Sequence, residues 1–149
     1  MDKKWIGRVV GALVVTAIIL FLLSFTTFGA QYYESQAGKN PLAKGAAESQ
    51  MKAAKIYSWW GNHLSAAKAF EKYYINYGEQ DVKKAVEAQY LEMSALHSAH
   101  QYATCMKKIE LFQSQYPNGE HDIWSNKVTS LYNSLKMKSS SLIVDEPVK

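Results

Sequence analysis

The side chains best suited to chemistry are two histidines and a cysteine in the second half of the sequence. His97 and His100 are three positions apart, so both could reach one metal ion from the same side of a helix. No third ligand follows at helical spacing. Cys105 is the only cysteine, and a cysteine buried among apolar residues keeps a raised pKa and reacts poorly. These residues therefore predict neither a metal centre nor a catalytic cysteine.

Motifs for other kinds of catalysis are also missing from the sequence. There is no C-x-x-C-H motif for haem, no glycine-rich loop for phosphate and no serine or cysteine nucleophile motif. The prediction is a protein that is not an enzyme and that needs no cofactor. An accessory role beside a metal- or redox-dependent enzyme is a weaker hypothesis, which metal analysis of the purified protein would test.

Helices must position these side chains. From Ala46 to about Lys136 the apolar residues recur at spacings of three and four, and no segment shows sustained alternation. Turn signals at Asn62, Gly78, His100 and Pro117 divide this region. The sequence thus predicts an all-α domain over residues 46–137, followed by a flexible tail over 138–149. Its five helices are expected at 46–60, 63–77, 80–99, 101–116 and 121–137.

Small and bulky residues recur in this domain after 39 positions. Each of the two units consists of a helix, a tight turn and a second helix. One such pair cannot bury its own apolar face, so neighbouring pairs must stack. The matching positions are Ala66 with Cys105, Phe70 with Ile109, Tyr73 with Phe112, and Tyr77 with Tyr116.

The pattern resembles the tetratricopeptide repeat, particularly the degenerate repeats of bacterial envelope proteins. The second unit ends in the Tyr116-Pro117 pair typical of these repeats. The sequence departs from the family in its period, which is 39 rather than about 34, and in having Glu92 and Met93 where leucine and small residues are usual. The resemblance implies an α-solenoid of two helix pairs, with residues 121–137 as a capping helix. The signature positions are Ala54, Tyr57, Gly61, Ala66, Phe70 and Tyr77 in the first unit, and Leu96, Tyr102, Cys105, Ile109, Tyr116 and Pro117 in the second.

Repeats of this kind bind partners in a concave groove lined by the first helix of each unit. The resemblance therefore implies protein-partner contacts at Met51, Lys55, Trp59, Tyr90, Ser94 and His97. An exposed tryptophan in such a groove is a typical binding anchor. Alternatively, Trp59 lies under a linker or against a membrane surface. Met51 and Lys55 stand where repeats that clamp a C-terminal carboxylate carry lysine and asparagine, so capture of a C-terminal tail is not expected.

The N-terminus has the pattern of a membrane anchor. Val9 to Phe28 are 20 residues without a charge, about the length that spans a bilayer as a helix. A cleaved signal peptide is disfavoured because its apolar core is usually only about 7 to 15 residues long. The sequence thus predicts a single transmembrane helix in segment 1–33, a linker over 34–45 and bilayer contact through Val9 to Phe28. Because Lys3, Lys4 and Arg8 precede the apolar run, the N-terminus is expected in the cytoplasm and the C-terminal domain in the periplasm.

The charge distribution of the chain argues against nucleic acid as a partner. The chain has a formal net charge of +4, of which residues 1–8 contribute three basic residues and one acidic residue. The remaining 14 basic and 12 acidic residues leave a domain near neutrality, without the electrostatic footprint of a nucleic-acid-binding protein.

Two function classes remain after this exclusion. The first is a membrane-anchored interaction module, serving as an accessory or scaffolding subunit of a larger membrane or envelope complex. The alternative is a receptor for peptides or substrates at a protein translocation machine. A mitochondrial import receptor, with its domain in the cytosol, has the same layout.

Overall fold

The computed structural model describes residues 3–117 and 122–144, without the side chains of residues 3–10, 20–27, 122 and 138–144. The described residues form six helices and contain no strand, which confirms the all-α prediction. The helices are α1 (Lys3–Lys39), α2 (Ala46–Trp59), α3 (His63–Tyr77), α4 (Val82–Ser98), α5 (Tyr102–Gln115) and α6 (Asp122–Val144).

Helices α3 and α4 begin where polar side chains cap their first turns. The Asn62 side chain accepts a hydrogen bond from the backbone N–H of Ser65 at 3.3 Å. Asp81 accepts one from the backbone N–H of Lys84 at 3.1 Å. Each cap satisfies a donor that the first turn of a helix leaves unpaired. Gly61, with a φ of 76°, makes the turn between α2 and α3 in a backbone conformation that side-chain-bearing residues rarely adopt.

The helices stack in chain order and form two rows. Each of α1 to α4 packs on the next helix, and α6 packs on both α4 and α5. Ion pairs link alternate helices: Lys72 of α3 pairs with Glu34 of α1, and Lys108 of α5 pairs with Glu71 of α3. Helices α1, α3 and α5 therefore make one row, and α2, α4 and α6 make the other.

The core lies between these rows. Ala66 and Cys105 are fully buried, and so are the bulky Phe70 and Ile109 one turn later in their helices. Close-packed interiors tolerate only side chains that fit, so the small residues let neighbouring helices approach while the large ones fill the remaining space. The 39-residue correspondence therefore marks real core positions.

Helix α1 differs from the predicted arrangement of anchor and linker. It continues to Lys39, so residues 34–39 of the predicted linker are helical and only the segment around residues 40–45 forms a turn. Ala30 and Ala37 are buried. Glu34 accepts a hydrogen bond from the Tyr57 hydroxyl at 3.3 Å. The C-terminal part of α1 is thus the first layer of the stack, because its small residues allow close contact with α2.

The predicted membrane location is corrected by the structure. Helix α1 includes Val9 to Phe28, but among the described residues no helix is both long enough and apolar enough to cross a membrane. The prediction of a single-pass protein with a cytoplasmic N-terminus and a periplasmic domain is wrong on this finding. The side chains of residues 9, 10 and 20–27 lie outside the description.

The end of the chain also differs from its prediction. Helix α6 was expected to stop near residue 137 and instead reaches Val144. Its last closely packed residue among the described side chains is Leu135, which is 4% exposed. The predicted tail is therefore helical over 138–144, and residues 145–149 lie outside the described residues.

Candidate interaction face

Helices α2, α4 and α6 present one continuous surface, which we call the front face. Lys55 of α2 reaches Glu87 of α4 with 3.3 Å between Nζ and Oε1. The ring of Tyr90 on α4 lies 5.3 Å from that of Trp124 on α6. These contacts place the three helices side by side. The front face comprises Glu48, Lys52, Lys55 and Trp59 of α2, Lys83, Glu87, Tyr90 and Ser94 of α4, and Trp124 and Lys127 of α6.

Four of the six predicted contact residues belong to this face. Lys55 is exposed, Trp59 is 84% exposed, and Tyr90 and Ser94 are half-buried. Tyr90 is partly covered by Trp124, so it supports the face more than it projects from it.

The other two predicted contacts lie elsewhere. Met51 is buried in the core because it is about 80° around the helix from Trp59, which turns it inward. His97 packs its ring 5.5 Å from that of Tyr102, at the turn between α4 and α5. The prediction that Met51 lines the surface is therefore wrong, and His97 lies in the last turn of α4 beside Tyr102 of α5.

Trp59 dominates the open edge of the front face. It is the last residue of α2, and its ring lies 5.7 Å from that of Trp60. Trp60 is 45% exposed because the chain leaves the helix at this residue. Leu64, at the start of α3, is 49% exposed. The α2–α3 turn therefore carries an apolar edge beside the polar middle of the face.

A lysine covers the aromatic pair at the opposite side of the front face. The Nζ atom of Lys127 lies 4.3 Å from the ring centre of Trp124 and 5.4 Å from that of Tyr90. Both distances are within the range of cation–π attraction. Sequence reasoning had assigned Trp124 only to a capping helix. The available signal was the three-residue spacing from Trp124 to Lys127, which places both on one side of a helix.

The second polar feature is a partly buried cluster that joins the two rows, which we call the Lys108 clasp. Lys108 of α5 pairs with Glu71 of α3 at 2.7 Å and with Glu92 of α4 at 2.8 Å. Lys108 also donates a hydrogen bond to the Tyr74 hydroxyl at 3.1 Å, and that hydroxyl donates to Glu92 at 3.0 Å. The clasp therefore joins three helices and crosses the boundary between the two repeat units.

Burial and charge shift the protonation equilibria of the clasp. Burial raises the pKa of Glu92, and the bonds from Lys108 and Tyr74 oppose this shift only in part. Burial alone would lower the pKa of Lys108, but its bonds to Glu71, Glu92 and Tyr74 outweigh burial and hold that pKa above its usual range. Burial is also the main cause that raises the pKa of Tyr74 to about 12. Lys108 thus stays charged at neutral pH and is not available as a base or nucleophile.

A pocket of about 110 Å³ opens beside the clasp. Both carboxylate oxygens of Glu92 are already engaged, one by Lys108 and the other by Tyr74. The clasp residues at the pocket therefore bond to one another and join helices, and do not point into the pocket as free groups. Its lining consists of Tyr74, Gln89, Glu92, Met93, Lys108, Leu111, Phe112 and Gln115.

The cysteine and the two histidines that were considered for catalysis or metal binding have packing roles in the structure. Cys105 is buried and its thiol bonds to the Met93 carbonyl at 3.2 Å. Burial, helped by the charge of Glu92, raises the pKa of Cys105 to about 11, so it remains a thiol at neutral pH. His97 and His100 both pack against the Tyr102 ring. Within residues 3–117 and 122–144, no three His, Cys, Asp or Glu side chains are grouped so that they could hold a metal ion.

Comparison with known proteins gives no relative from which to transfer a function: no family model, no curated protein and no solved structure matches this chain.

Proposed function

We propose that this protein is a helical-repeat interaction module of the tetratricopeptide type, acting as an accessory or scaffolding subunit of a larger protein complex. The observation that carries the proposal is Trp59, which is 84% exposed at the edge of the front face. A tryptophan buries roughly 150 to 250 Å² when covered, so covering this ring contributes on the order of 3 to 5 kcal/mol before the costs of association. Tryptophan is also among the residues most enriched at binding hot spots.

Rigidity of the surrounding surface supports the same function. The helices that carry the front face are fixed by a core in which Phe70 and Ile109 are buried, and by the Lys108 clasp. A surface that is already ordered does not lose further backbone entropy on binding. Covering Trp59 therefore carries no added cost of ordering the backbone beneath it.

A receptor for transiently bound peptide segments is the second candidate. The observation that favours it is the continuity of the front face across three helices, shown by the Lys55–Glu87 pair and the Tyr90–Trp124 contact. A strip of that form fits an extended segment as well as a folded subunit. Stoichiometry distinguishes the two roles, since a subunit co-purifies with its complex in fixed ratio while a receptor is recovered mostly free.

The test is co-purification of tagged full-length chain from its native cells, comparing Trp59→Ala with Ile75→Ala. Ile75 is 67% exposed on α3, outside the front face, so its substitution removes exposed apolar surface without touching the proposed contact. We expect Trp59→Ala to reduce recovery of the partner at least about tenfold, which corresponds to roughly 1.4 kcal/mol. Ile75→Ala should retain the partner, and both variants should keep the helical circular-dichroism signal. Equal recovery with the two variants would contradict the proposal.

A further inference from the structure

We infer that the partner of the front face is an acidic peptide segment carrying a large apolar residue, with its carboxylates on Lys127 and neighbouring lysines and its apolar side chain on Trp59. This inference rests on the proposed function and specifies the chemistry of its partner.

The charge of the front face favours an acidic partner. The face carries four lysines, at positions 52, 55, 83 and 127, and two glutamates, at positions 48 and 87. Both glutamates are already paired, Glu48 with Lys52 at 2.8 Å and Glu87 with Lys55 at 3.3 Å. Lys83 and Lys127 form no ion pair with any carboxylate among the described residues. The face therefore has positive charge that its own acidic residues do not neutralise.

Helical register places Lys83 with the other charges. Positions 83, 87, 90 and 94 fall within an arc of about 60° on α4, so Lys83 extends the strip that contains Glu87 and Tyr90. Lys83 is exposed. An extended acidic segment thus meets a cation on α4 as well as the cation on α6.

Lys127 is held in a position to receive a carboxylate. Its Nζ atom rests over the rings of Trp124 and Tyr90, and an ammonium group has three N–H donors, none of which the rings satisfy as fully as an oxygen acceptor does. A carboxylate can bind the outer side of this ammonium without disturbing the aromatic pair. A basic segment would instead be repelled by Lys127 and would compete with it for the same ring faces. Lys127 and the two rings therefore favour an acidic segment over a basic one.

The order of the helices sets the path of the segment. Trp59 and Lys127 are on α2 and α6, the two outer helices of the front face, so a segment that contacts both has to cross α4. The apolar and acidic residues of the partner are therefore expected at separate positions of an extended chain.

The experiment selects random twelve-residue peptides displayed on phage against immobilised full-length chain. Synthetic copies of the enriched peptides, labelled with fluorescein, are then measured by anisotropy at low and high salt. We expect enriched peptides with net negative charge and at least one large apolar residue. Their affinity should fall about five- to tenfold in Lys127→Gln and should weaken with salt. The matched control is Lys107→Gln, on α5, which removes an exposed lysine outside the front face and should leave affinity unchanged.

The outcomes separate this inference from the proposed function. Enriched peptides that lose binding in Trp59→Ala but are neutral or basic, or that bind Lys127→Gln and Lys107→Gln equally, would overturn the acidic partner and leave the interaction face standing. Enriched peptides unaffected by Trp59→Ala would overturn the use of the face itself. Failure to enrich any peptide would overturn both this inference and the peptide-receptor form of the function.

Discussion

Replacing Lys108 by methionine removes the cation that joins three helices while keeping a side chain of similar length. Lys108 is mostly covered, with 23% of its side chain exposed, and Glu92 retains only 5%. Glu71, the third charged member of the clasp, is 41% exposed. The substitution therefore leaves one buried carboxylate and one largely solvated carboxylate without their shared partner.

The expected loss of stability follows from the burial of Glu92. Removing one member of a buried ion pair costs about 3 to 5 kcal/mol. We expect the lower end, about 3 kcal/mol, because the Tyr74 hydroxyl still donates to Glu92. The exposed pair adds little, so Glu71→Gln alone should cost less than about 1 kcal/mol. The double variant Lys108→Met with Glu92→Leu should recover most of the loss, to within about 1 kcal/mol of the original chain, because it leaves no buried charge unpaired.

Urea unfolding of the full chain, followed by circular dichroism at two pH values, measures this loss. Burial already raises the pKa of Glu92, and removing Lys108 raises it further. A carboxyl group whose pKa is higher in the folded state binds more protons there, so the stability of the Lys108→Met variant increases as pH falls through that raised pKa. The deficit relative to the original chain should therefore be larger near pH 8 than near pH 5.

Two results would refute this reasoning. The first is a loss of unfolding free energy for Lys108→Met that is no greater than the loss for Glu71→Gln. That result would mean that the buried Lys108–Glu92 pair contributes nothing to stability. The second is an equal deficit at both pH values, which would mean that Glu92 is not left charged and unpaired.

Two further substitutions and one truncation test other parts of the structure. Cys105→Ala should cost about 1 kcal/mol in urea unfolding and leave peptide binding intact, because Cys105 is a core residue away from the front face; lost binding at full stability would indicate thiol chemistry. Asn62→Ala should cost about 1 kcal/mol because α3 loses its cap, and an unchanged unfolding midpoint would show that the cap is not formed in solution. Truncation after Lys138 removes no residue of the front face, so anisotropy should show peptide affinity within about twofold of the full chain; a larger loss would place the contact in the C-terminal segment.

Helix bounds in the repeat region could be predicted from the sequence because local chemistry sets them. Helix α3 was expected at 63–77 and lies at His63–Tyr77, since Asn62 caps its start. Its end is marked by Gly78. The small and bulky core positions were also predictable, because their recurrence after 39 residues reflects packing that is repeated in space.

The Lys108 clasp could not be predicted in the same way. Glu92 had been recognised only as a departure from the repeat pattern, and a charged residue in a helix normally indicates a solvated position. Its partner Lys108 is 16 positions away and on another helix, so no local spacing links them. The prediction for Met51 failed for a related reason. Its four-residue spacing to Lys55 suggested a shared face, but over the eight residues from Met51 to Trp59 the helix rotates far enough that Met51 points into the core.

The continuity of helix α1 determines how the front face is presented. A flexible linker before the domain would let it swing freely, whereas α1 runs unbroken from Lys3 to Lys39 and is buried against α2 at Ala30 and Ala37. Residues 3–29 alone form a rod of about 40 Å at 1.5 Å per residue. Any contact that fixes the orientation of residues 3–29 therefore also fixes the direction in which Trp59 is exposed. A kink introduced into this part of α1 would change the orientation of the front face without altering any residue on it.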